Sequence, residues 1–363
     1  MNKKPIDFTI LFTTIVLVAI GVVMVFSASF YYSDQRWGDS LYFFKRQSLW
    51  AVIGFVAMFI ASKIDYSKLQ KFSRIFAIIS ILLLIAVLFV GEDRNGAIRW
   101  LNLGGITLQP SELAKFALIS FIADTIARGK GKVKYFFKGM LPILMVAGLV
   151  FGLILLQPNL STAGSILILT FVMLFVGGAN LYYVGGLIGI GAAGAVVLVR
   201  AEEYRLKRFL AFRNPWADPL DTGWQLIQSL YSLGSGGLFG LGLAKSRQKL
   251  LYLPYPETDF IFAIIGEELG FLGATVIILL FLTLIWRGIR VAITAPDLFG
   301  SLLASGIISM IAIQAVINIA VVTASMPPTG LPLPFISYGG SSLAIFMASI
   351  GVLLNISKHS KAS

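Results

Sequence analysis

The amino-acid sequence predicts an all-α integral membrane protein, built as a bundle of ten transmembrane helices. Apolar residues fill 57% of its 363 positions, charged residues fill only 13%, and the mean hydropathy is +0.87. A water-soluble chain of this length needs more charge to cover its surface. The apolar runs are unbroken for about 20 residues, the length at which a helix crosses the hydrocarbon core of a bilayer. A membrane-spanning β-barrel would instead need alternating polar positions.

Ten predicted spans follow one another in a single polytopic membrane domain, residues 1–363. They cover residues 8–30, 47–62, 74–91, 111–127, 139–157, 161–178, 182–200, 260–286, 299–323 and 340–356. A large extracytoplasmic loop, about 201–259, separates the seventh span from the eighth. The first apolar run is too long for the core of a cleaved signal peptide, so we expect an uncleaved signal anchor.

The placement of Lys and Arg predicts the orientation of the chain. An even number of spans puts both ends on one side, and the segments on that side, from Lys3 to Lys361, carry fifteen basic residues against five in the short opposite loops. Since basic residues concentrate in cytoplasmic loops, we expect both ends in the cytoplasm and the protein in the bacterial cytoplasmic (inner) membrane. The net charge of +12 then reflects loops that face anionic membrane lipids, and we expect no nucleic-acid partner.

The residue types narrow the possible chemistry. The chain has no cysteine, and its only histidine is His359, near the end. Thiol chemistry and histidine acid–base catalysis are therefore excluded, and a general base would have to be another group, most plausibly a carboxylate. We see no dedicated metal cage and expect no required cofactor, although a divalent cation, Mg or Mn, could assist at a phosphate site.

The loop 201–259 contains one segment with helical periodicity. Residues 224–233 (WQLIQSLYSL) place apolar side chains at helical spacing beside Gln225 and Gln228, which predicts an amphipathic helix at the membrane surface. The stretch 234–242 (GSGGLFGLG) then predicts a flexible turn. A phosphate-binding loop is the alternative, but the Walker lysine and a preceding strand are both missing.

Ionisable residues inside predicted spans are costly and indicate pairing or function. Glu112 and Lys115 stand at i,i+3 spacing on one face of the fourth span, near its outer end. They form either a functional pair or an interfacial ion pair in which Lys115 extends outward. Glu267 and Glu268 lie within the eighth span and need hydrogen-bond partners. We expect Gln314 and Asn318, one turn apart in the ninth span, to supply them.

Asp259 directly precedes the eighth span, at its expected outer end. Three cations, Lys245, Arg247 and Lys249, lie shortly before it in the chain. One reading is that Asp259 or Thr258 only caps the helix. The other is that the cations hold a lipid diphosphate while the carboxylate takes a proton from an attacking hydroxyl.

A proline-rich loop follows the ninth span. Four prolines surround a glycine in MPPTGLPLPFISYGG, residues 326–340. Prolines restrict the loop, and irregular backbone near the membrane surface usually lines a cavity or is buried in protein.

The motifs resemble the SEDS family (shape, elongation, division and sporulation), and its FtsW and SpoVE branch more than its RodA branch. The matching segments are VFSAS (25–29), FFKRQ (43–47), RWLNLGGITLQPSELAK (99–115), QPNLSTA (157–163), NPWADPLDTGWQLIQSLYSLGSGGLFGLGL (214–243), SRQKLLYLP (246–254), TDFIFAIIGEELG (258–270), INIAVVTASMP (317–327) and PPTGLPLPFISYGGSSL (327–343).

The resemblance implies ten transmembrane helices and a peptidoglycan glycosyltransferase that polymerises lipid II, usually with a class B penicillin-binding protein as partner. It implies that Asp259 is the catalytic carboxylate. Glu112 and Lys115 match the family's functional Glu/Lys pair, and Arg247, Gln248 and Lys249 fall in its SRQK-like segment. Our candidate substrate-binding residues are Glu112, Lys115, Lys245, Arg247, Lys249, Arg99 and Gln109.

Two positions depart from the family pattern. Tyr255 stands where the family commonly has Glu, and Glu257 falls two places later; Asn159 and Ser161 replace the usual Asp and Gly. Neither departure touches Asp259. From the residues alone, an enzyme and a lipid II flippase both fit, and a scaffold that only recruits division proteins is a third reading.

Overall fold

The computed structural model describes residues 5–94, 97–104, 106–250 and 252–360, and within them the chain is mainly helical. The α-helices are α1 (Phe8–Trp37), α2 (Tyr42–Lys63), α3 (Tyr66–Val90), α4 (Pro110–Arg128), α5 (Leu141–Leu155), α6 (Leu160–Val176), α7 (Leu181–Ala201), α8 (Glu203–Arg213), α9 (Trp224–Ser235), α10 (Ile261–Thr294), α11 (Leu298–Val322) and α12 (Ser341–Lys358).

Eight helices in the described part of the chain are long and apolar enough to cross a membrane, and the chain is a multi-pass membrane protein. They are α1, α2, α3, α5 with the turn before it, α7, α10, α11 and α12. The other two predicted spans are helical as well. However, α4 carries Glu112, Lys115, Asp124 and Arg128, and α6 has only 17 residues. Ten crossings therefore stay a prediction.

A small antiparallel sheet between α3 and α4 departs from the all-α prediction. Its strands are β1 (Glu92–Arg94), β2 (Ala97–Leu103) and β3 (Ile106–Leu108), paired in the order β1-β2-β3. Leu101 of β2 is buried and Asn102 is exposed, as expected for neighbours on a strand. This alternation of apolar and polar residues covers too few positions to be recognised in the sequence among the long apolar runs.

The two described ends of the chain lie together. Asp7, which caps α1, donates its backbone N–H to Ser357 Oγ at 3.2 Å, near the end of α12. Arg287, in the last turns of α10, donates to Asp7 Oδ2 at 2.6 Å. We call this end of the bundle the termini face. Lys3, Lys4 and Lys361, which contributed to the predicted orientation, lie outside the described residues.

α10 is broken at Gly270, and the glycine-rich segment after α9 fills the break. Gly270 has a φ of +68° and a ψ of −169°. Across the break, Leu241 N donates to Glu267 O at 2.9 Å and Gly242 N donates to Glu268 O at 3.0 Å. The predicted turn is therefore present, but its backbone is bonded to α10, so the expectation that it is flexible was wrong. The backbone groups freed by the break need partners inside the bundle, and this segment supplies them.

The predicted amphipathic helix is confirmed as α9, and its polar side chains pack against the rest of the protein. Ser229 donates to Val322 O at 2.7 Å, and Ser232 donates to Ala263 O at 3.0 Å. Gln228 is buried as well. Ser229 and Ser232 on the polar face of α9 therefore contact α11 and α10 rather than water, and the position of α9 at the membrane surface stays a prediction.

Residues 326–340, which we call the proline loop, connect α11 to α12 without regular structure. Leu331, Leu333, Phe335 and Ile336 are buried. The loop crosses α1 at Gly21, where a Cβ would lie 2.5 Å from Phe335 O, so only glycine permits this approach. The loop is thus held against the helices, as the sequence predicted.

Candidate active site

Asp259 lies where the loop meets α10, against the proline loop. α10 begins at Ile261, and Phe260 is its cap without a side-chain hydrogen bond, so the capping alternative for Asp259 was wrong. A Cβ on Gly330 would lie 3.3 Å from Asp259 Oδ2, and Gly330 has a φ of +71°. Both facts favour glycine at this contact. Asp259 as a whole residue is half-buried.

Two arginines from distant segments act on the Asp259 carboxylate. Burial raises the pKa of Asp259 from 3.8 to about 6, and the positive charges of Arg208 on α8 and Arg99 on β2 oppose that rise. Burial disfavours the ionised form, and nearby cations favour it. The result is a carboxylate that is mostly ionised at neutral pH and still basic enough to accept a proton.

Arg99 and Arg208 are positioned by different contacts. Arg99 donates from Nε to Gln157 O at 3.1 Å, and its guanidinium also donates to Pro158 O. Arg208 stacks on Tyr204, with its guanidinium carbon 5.1 Å from the ring centroid. Arg99 was among the predicted residues, and Arg208 and Tyr204 were not. Their basic helix is visible in the sequence, but no pattern there shows that α8 folds back toward Asp259.

The three cations predicted to lie beside Asp259 have different environments. Lys245 and Arg247 are exposed, whereas Lys249 is 5% exposed. Lys249 Nζ lies 2.8 Å from Glu268 Oε1, in a buried ion pair, and 3.2 Å from Ser27 Oγ. Contact of Lys249 with a substrate phosphate would require this ion pair to open. The roles of all three in substrate binding stay predictions.

Glu267 and Glu268 have other partners than the two amides expected from the sequence. Glu267 accepts from Ser246 Oγ at 2.5 Å and from Arg247 N at 2.8 Å. Glu268 accepts from Ser27 Oγ at 2.6 Å as well as from Lys249. The carboxylates therefore tie the segment 246–249 to α10 and α1. This pairing depends on the break in α10, which the sequence pattern does not reveal.

Glu112 and Lys115 form an ion pair of 2.8 Å between Oε1 and Nζ, inside the bundle. Each residue is only 2% exposed, so Lys115 does not extend outward, and that alternative was wrong. Ser342 of α12 donates to Glu112 Oε2 at 3.1 Å, and Lys115 donates to Gln314 Oε1 at 2.8 Å. The pair thus joins α4 to α11 and α12. Its role in substrate binding stays a prediction.

Two amides on α11 connect this ion pair with Asp259 through the proline loop. Gln314, which accepts from Lys115, donates through Nε2 to Pro332 O at 2.9 Å. Asn318 donates through Nδ2 to Leu331 O and to Asp259 O, both at 2.8 Å. Two pairs of hydrogen bonds, joined by the Leu331–Pro332 backbone of the proline loop, therefore connect Lys115 with the backbone of Asp259.

Glu257 is a buried carboxyl beside Asp259. It is 3% exposed, and its Oε2 has no hydrogen-bond partner within the described part of the chain. Burial, followed by the charge of Asp259, raises the pKa of Glu257 from 4.5 to about 7. A carboxyl in this environment favours its protonated form at moderately acidic pH.

Gln109 precedes α4 and lies partly exposed beside α12, where its backbone N–H donates to Ser341 Oγ at 3.1 Å. In the described ranges, no three Asp, Glu, His or Cys side chains gather into a group that could hold a metal ion. Asp259 and Glu257 alone offer too few ligands for a protein cage. A divalent cation would therefore depend on phosphate oxygens of a substrate, and we derive no step from one.

The fold and the site define a class of protein. It is a helical membrane protein with a half-buried aspartate just before a long helix, and two arginines act on the carboxylate of that aspartate. The family model described as "Cell cycle protein", which covers FtsW, RodA and SpoVE, matches residues 8–362. The chain belongs to this FtsW/RodA/SpoVE family.

Among curated relatives, stage V sporulation protein E of Bacillus subtilis is 48% identical over 363 residues, covering 99% of both chains. A probable peptidoglycan glycosyltransferase FtsW of Geobacter sp. is 43% identical over 359 residues, covering 98% of both. The SEDS resemblance is confirmed.

Solved structures show the same fold. A chain described under "Structural coordination of polymerization and crosslinking by a peptidoglycan synthase complex" matches with a TM-score of 0.80 at 31% identity, over 97% of both chains. RodA of Thermus thermophilus matches with a TM-score of 0.73 at 29% identity, over 99% of this chain and 98% of that one.

Proposed function

We propose that this protein is a peptidoglycan glycosyltransferase that polymerises lipid II into glycan strands at the outer face of the cytoplasmic membrane. One observation carries the proposal: the carboxylate of a half-buried aspartate, with a pKa of about 6, has two arginines acting on it. Sugar transfer from a lipid diphosphate needs both a base and cations. The relatives named as probable peptidoglycan glycosyltransferases support the same activity.

In the proposed reaction, the GlcNAc 4-hydroxyl of one lipid II loses its proton to Asp259. The oxygen attacks the anomeric carbon of the donor from the face opposite the diphosphate, through an oxocarbenium-like state. The new C–O bond forms as the bond between anomeric carbon and phosphate oxygen breaks. The electron pair leaves with the polyprenyl diphosphate, whose charge is neutralised by Arg99 and Arg208, with Lys245 and Arg247 available nearby in the chain.

The proposal includes a class B penicillin-binding protein as the partner that crosslinks the product. The solved relative from a peptidoglycan synthase complex supports this choice. The proposed role lies in cell division, shape or sporulation, because the relatives include an FtsW, a rod shape determining protein RodA and stage V sporulation protein E.

The decisive experiment compares purified parent protein with Asp259→Asn in polymerisation of lipid II, with and without the partner. Removal of a general base is expected to lower the rate by about 10²–10⁴-fold, with unchanged thermal unfolding. Lys207→Ala is a matched control, because Lys207 pairs on the surface with Glu203 of its own helix. Parent-like polymerisation by Asp259→Asn would refute the assignment. Lipid II translocation across vesicles without polymerisation would favour a flippase.

A further inference from the structure

A cavity of about 420 Å³ opens on the termini face, at the end of α10 remote from Asp259. It lies between the first turn of α1, the last turns of α10 and the end of α12. Asp7, Phe8, Arg287 and Arg290 are among the residues that line it. The proposed polymerisation uses none of these residues.

The cavity contains one fixed and one exposed arginine. Arg287 donates to Asp7 Oδ2 from Nε at 3.0 Å and from Nη2 at 2.6 Å, so its charge is balanced and its position is set. Arg290, one turn further along α10, is exposed and has no ion pair with any described carboxylate. The positive end of α1 also borders the cavity. The cavity therefore has an excess of positive charge and suits an anion.

The surface beside the cavity is strongly apolar. Phe8 is 71% exposed, Trp286 is 59% exposed and Ile293 is 77% exposed. Phe8 begins α1, and Trp286 and Ile293 lie in the last turns of α10, beside the two arginines. Both helices are long enough and apolar enough to span a membrane. Exposed aromatic and aliphatic side chains at the end of a spanning helix contact lipid tails or the interface. A ligand in this place would thus meet cations and an apolar surface together.

We infer that this cavity binds the phosphate of an anionic membrane phospholipid, with the acyl chains along the exposed apolar residues of α1 and α10. Arg290 offers a guanidinium that can contact a phosphate with two N–H groups. Arg287 and Asp7 line one side of the cavity in fixed positions, because their ion pair holds α10 against α1. A free phosphate shares the same chemistry, but it would gain nothing from Phe8, Trp286 and Ile293. The adjoining apolar surface therefore favours the lipid.

Native mass spectrometry of the full chain in detergent tests this inference, with phosphatidylglycerol and phosphatidylcholine of identical acyl chains as probes. The parent is expected to retain one phosphatidylglycerol in preference to phosphatidylcholine. Arg290→Gln should weaken phosphatidylglycerol binding by about fivefold, the effect of one basic residue near a lipid headgroup. Arg290→Lys, which keeps the charge, should lose less. Because Arg290 is exposed, these variants are expected to fold.

Lys71→Gln is the matched control, because Lys71 is an exposed cation of α3 that does not line the cavity. It should leave phosphatidylglycerol binding unchanged. Equal losses in Lys71→Gln and Arg290→Gln would show a general charge effect and overturn the site. Displacement of the lipid by glycerol phosphate at equal concentration would overturn the lipid assignment in favour of a soluble phosphate. The readout is lipid binding, so it stands apart from the polymerase proposal.

Discussion

The side-chain amide of Asn318 donates to the backbone carbonyl of Asp259 at 2.8 Å, and the same nitrogen donates to Leu331 O at the same distance. One side chain on α11 thus joins the candidate base to the proline loop. Both acceptors are backbone carbonyls, so the contact fixes the position of Asp259 while its carboxylate stays free for chemistry. Asn318 is therefore a positioning residue in the proposed site.

Replacing Asn318 with Ala is expected to slow polymerisation by roughly 10–100-fold, because displacement of a catalytic group by about 1 Å costs that much. The apparent KM for lipid II should change little, since the lost contacts touch no substrate. Steady-state kinetics with purified protein would separate the two effects. Thr323→Ala, at the cap directly after the same helix, is the control: Thr323 bonds back to Ile319 O at 2.9 Å and is exposed. Equal losses in both variants would refute the positioning role.

Arg208→Ala should lower the polymerisation rate by about 10²-fold, the scale seen when a group that stabilises developing charge is removed. It should also move the pH profile. Asp259 must be ionised to act as a base, so the parent rate is expected to rise with pH and to reach half its plateau near pH 6. Arg208 lowers the pKa of Asp259, so its removal should shift the midpoint upward. A rate loss with an unmoved midpoint would show that Arg208 does not act on Asp259.

Glu257→Gln is expected to change how stability depends on pH. The folded-state pKa of Glu257, about 7, exceeds its ordinary value of 4.5. As pH rises, the Glu257 carboxyl therefore ionises in the unfolded chain before it ionises in the folded protein. Its contribution to the free energy of unfolding is complete below pH 4.5 and is lost as pH rises to 7. The difference amounts to roughly 3 kcal/mol. Thermal unfolding at pH 5 and pH 8 should show a smaller decrease for Glu257→Gln than for the parent; identical decreases would contradict the prediction.

Gly270→Ala should destabilise the fold by about 3 kcal/mol or more, because Gly270 combines a positive φ with a close backbone contact. A Cβ there would lie 2.3 Å from Gly240 N. Gly148→Ala is the matched control, since a Cβ at Gly148 of α5 would meet no heavy atom within 4 Å. Thermal unfolding in detergent measures both. If the two variants unfold at the same temperature, the break in α10 is not fixed by this contact.

Much of the candidate site was visible in the sequence because its residues are expensive in a membrane. Asp259, Arg99 and the pair of Glu112 and Lys115 stand out as polar residues in or beside apolar runs. Their partners did not stand out. Gln314 and Asn318 were expected to serve Glu267 and Glu268, yet they bond to the proline loop, because the break in α10 brings the segment 246–249 to the glutamates instead.

Residue composition by itself determined that this chain is a helical membrane protein. Long apolar runs are favourable in a bilayer, and there the backbone N–H and C=O groups must hydrogen-bond to each other, as they do in a helix. The composition also excluded cysteine and histidine as the general base, from which we predicted a carboxylate in that role. Only the tertiary structure decided which cations act on Asp259, which carboxylate pairs with Lys249, and that Gln228, Ser229 and Ser232 of α9 are buried. Those outcomes depend on segments that lie far apart in the chain, such as α8 and β2, whose Arg208 and Arg99 both act on Asp259. Local sequence patterns carry no information about such distances.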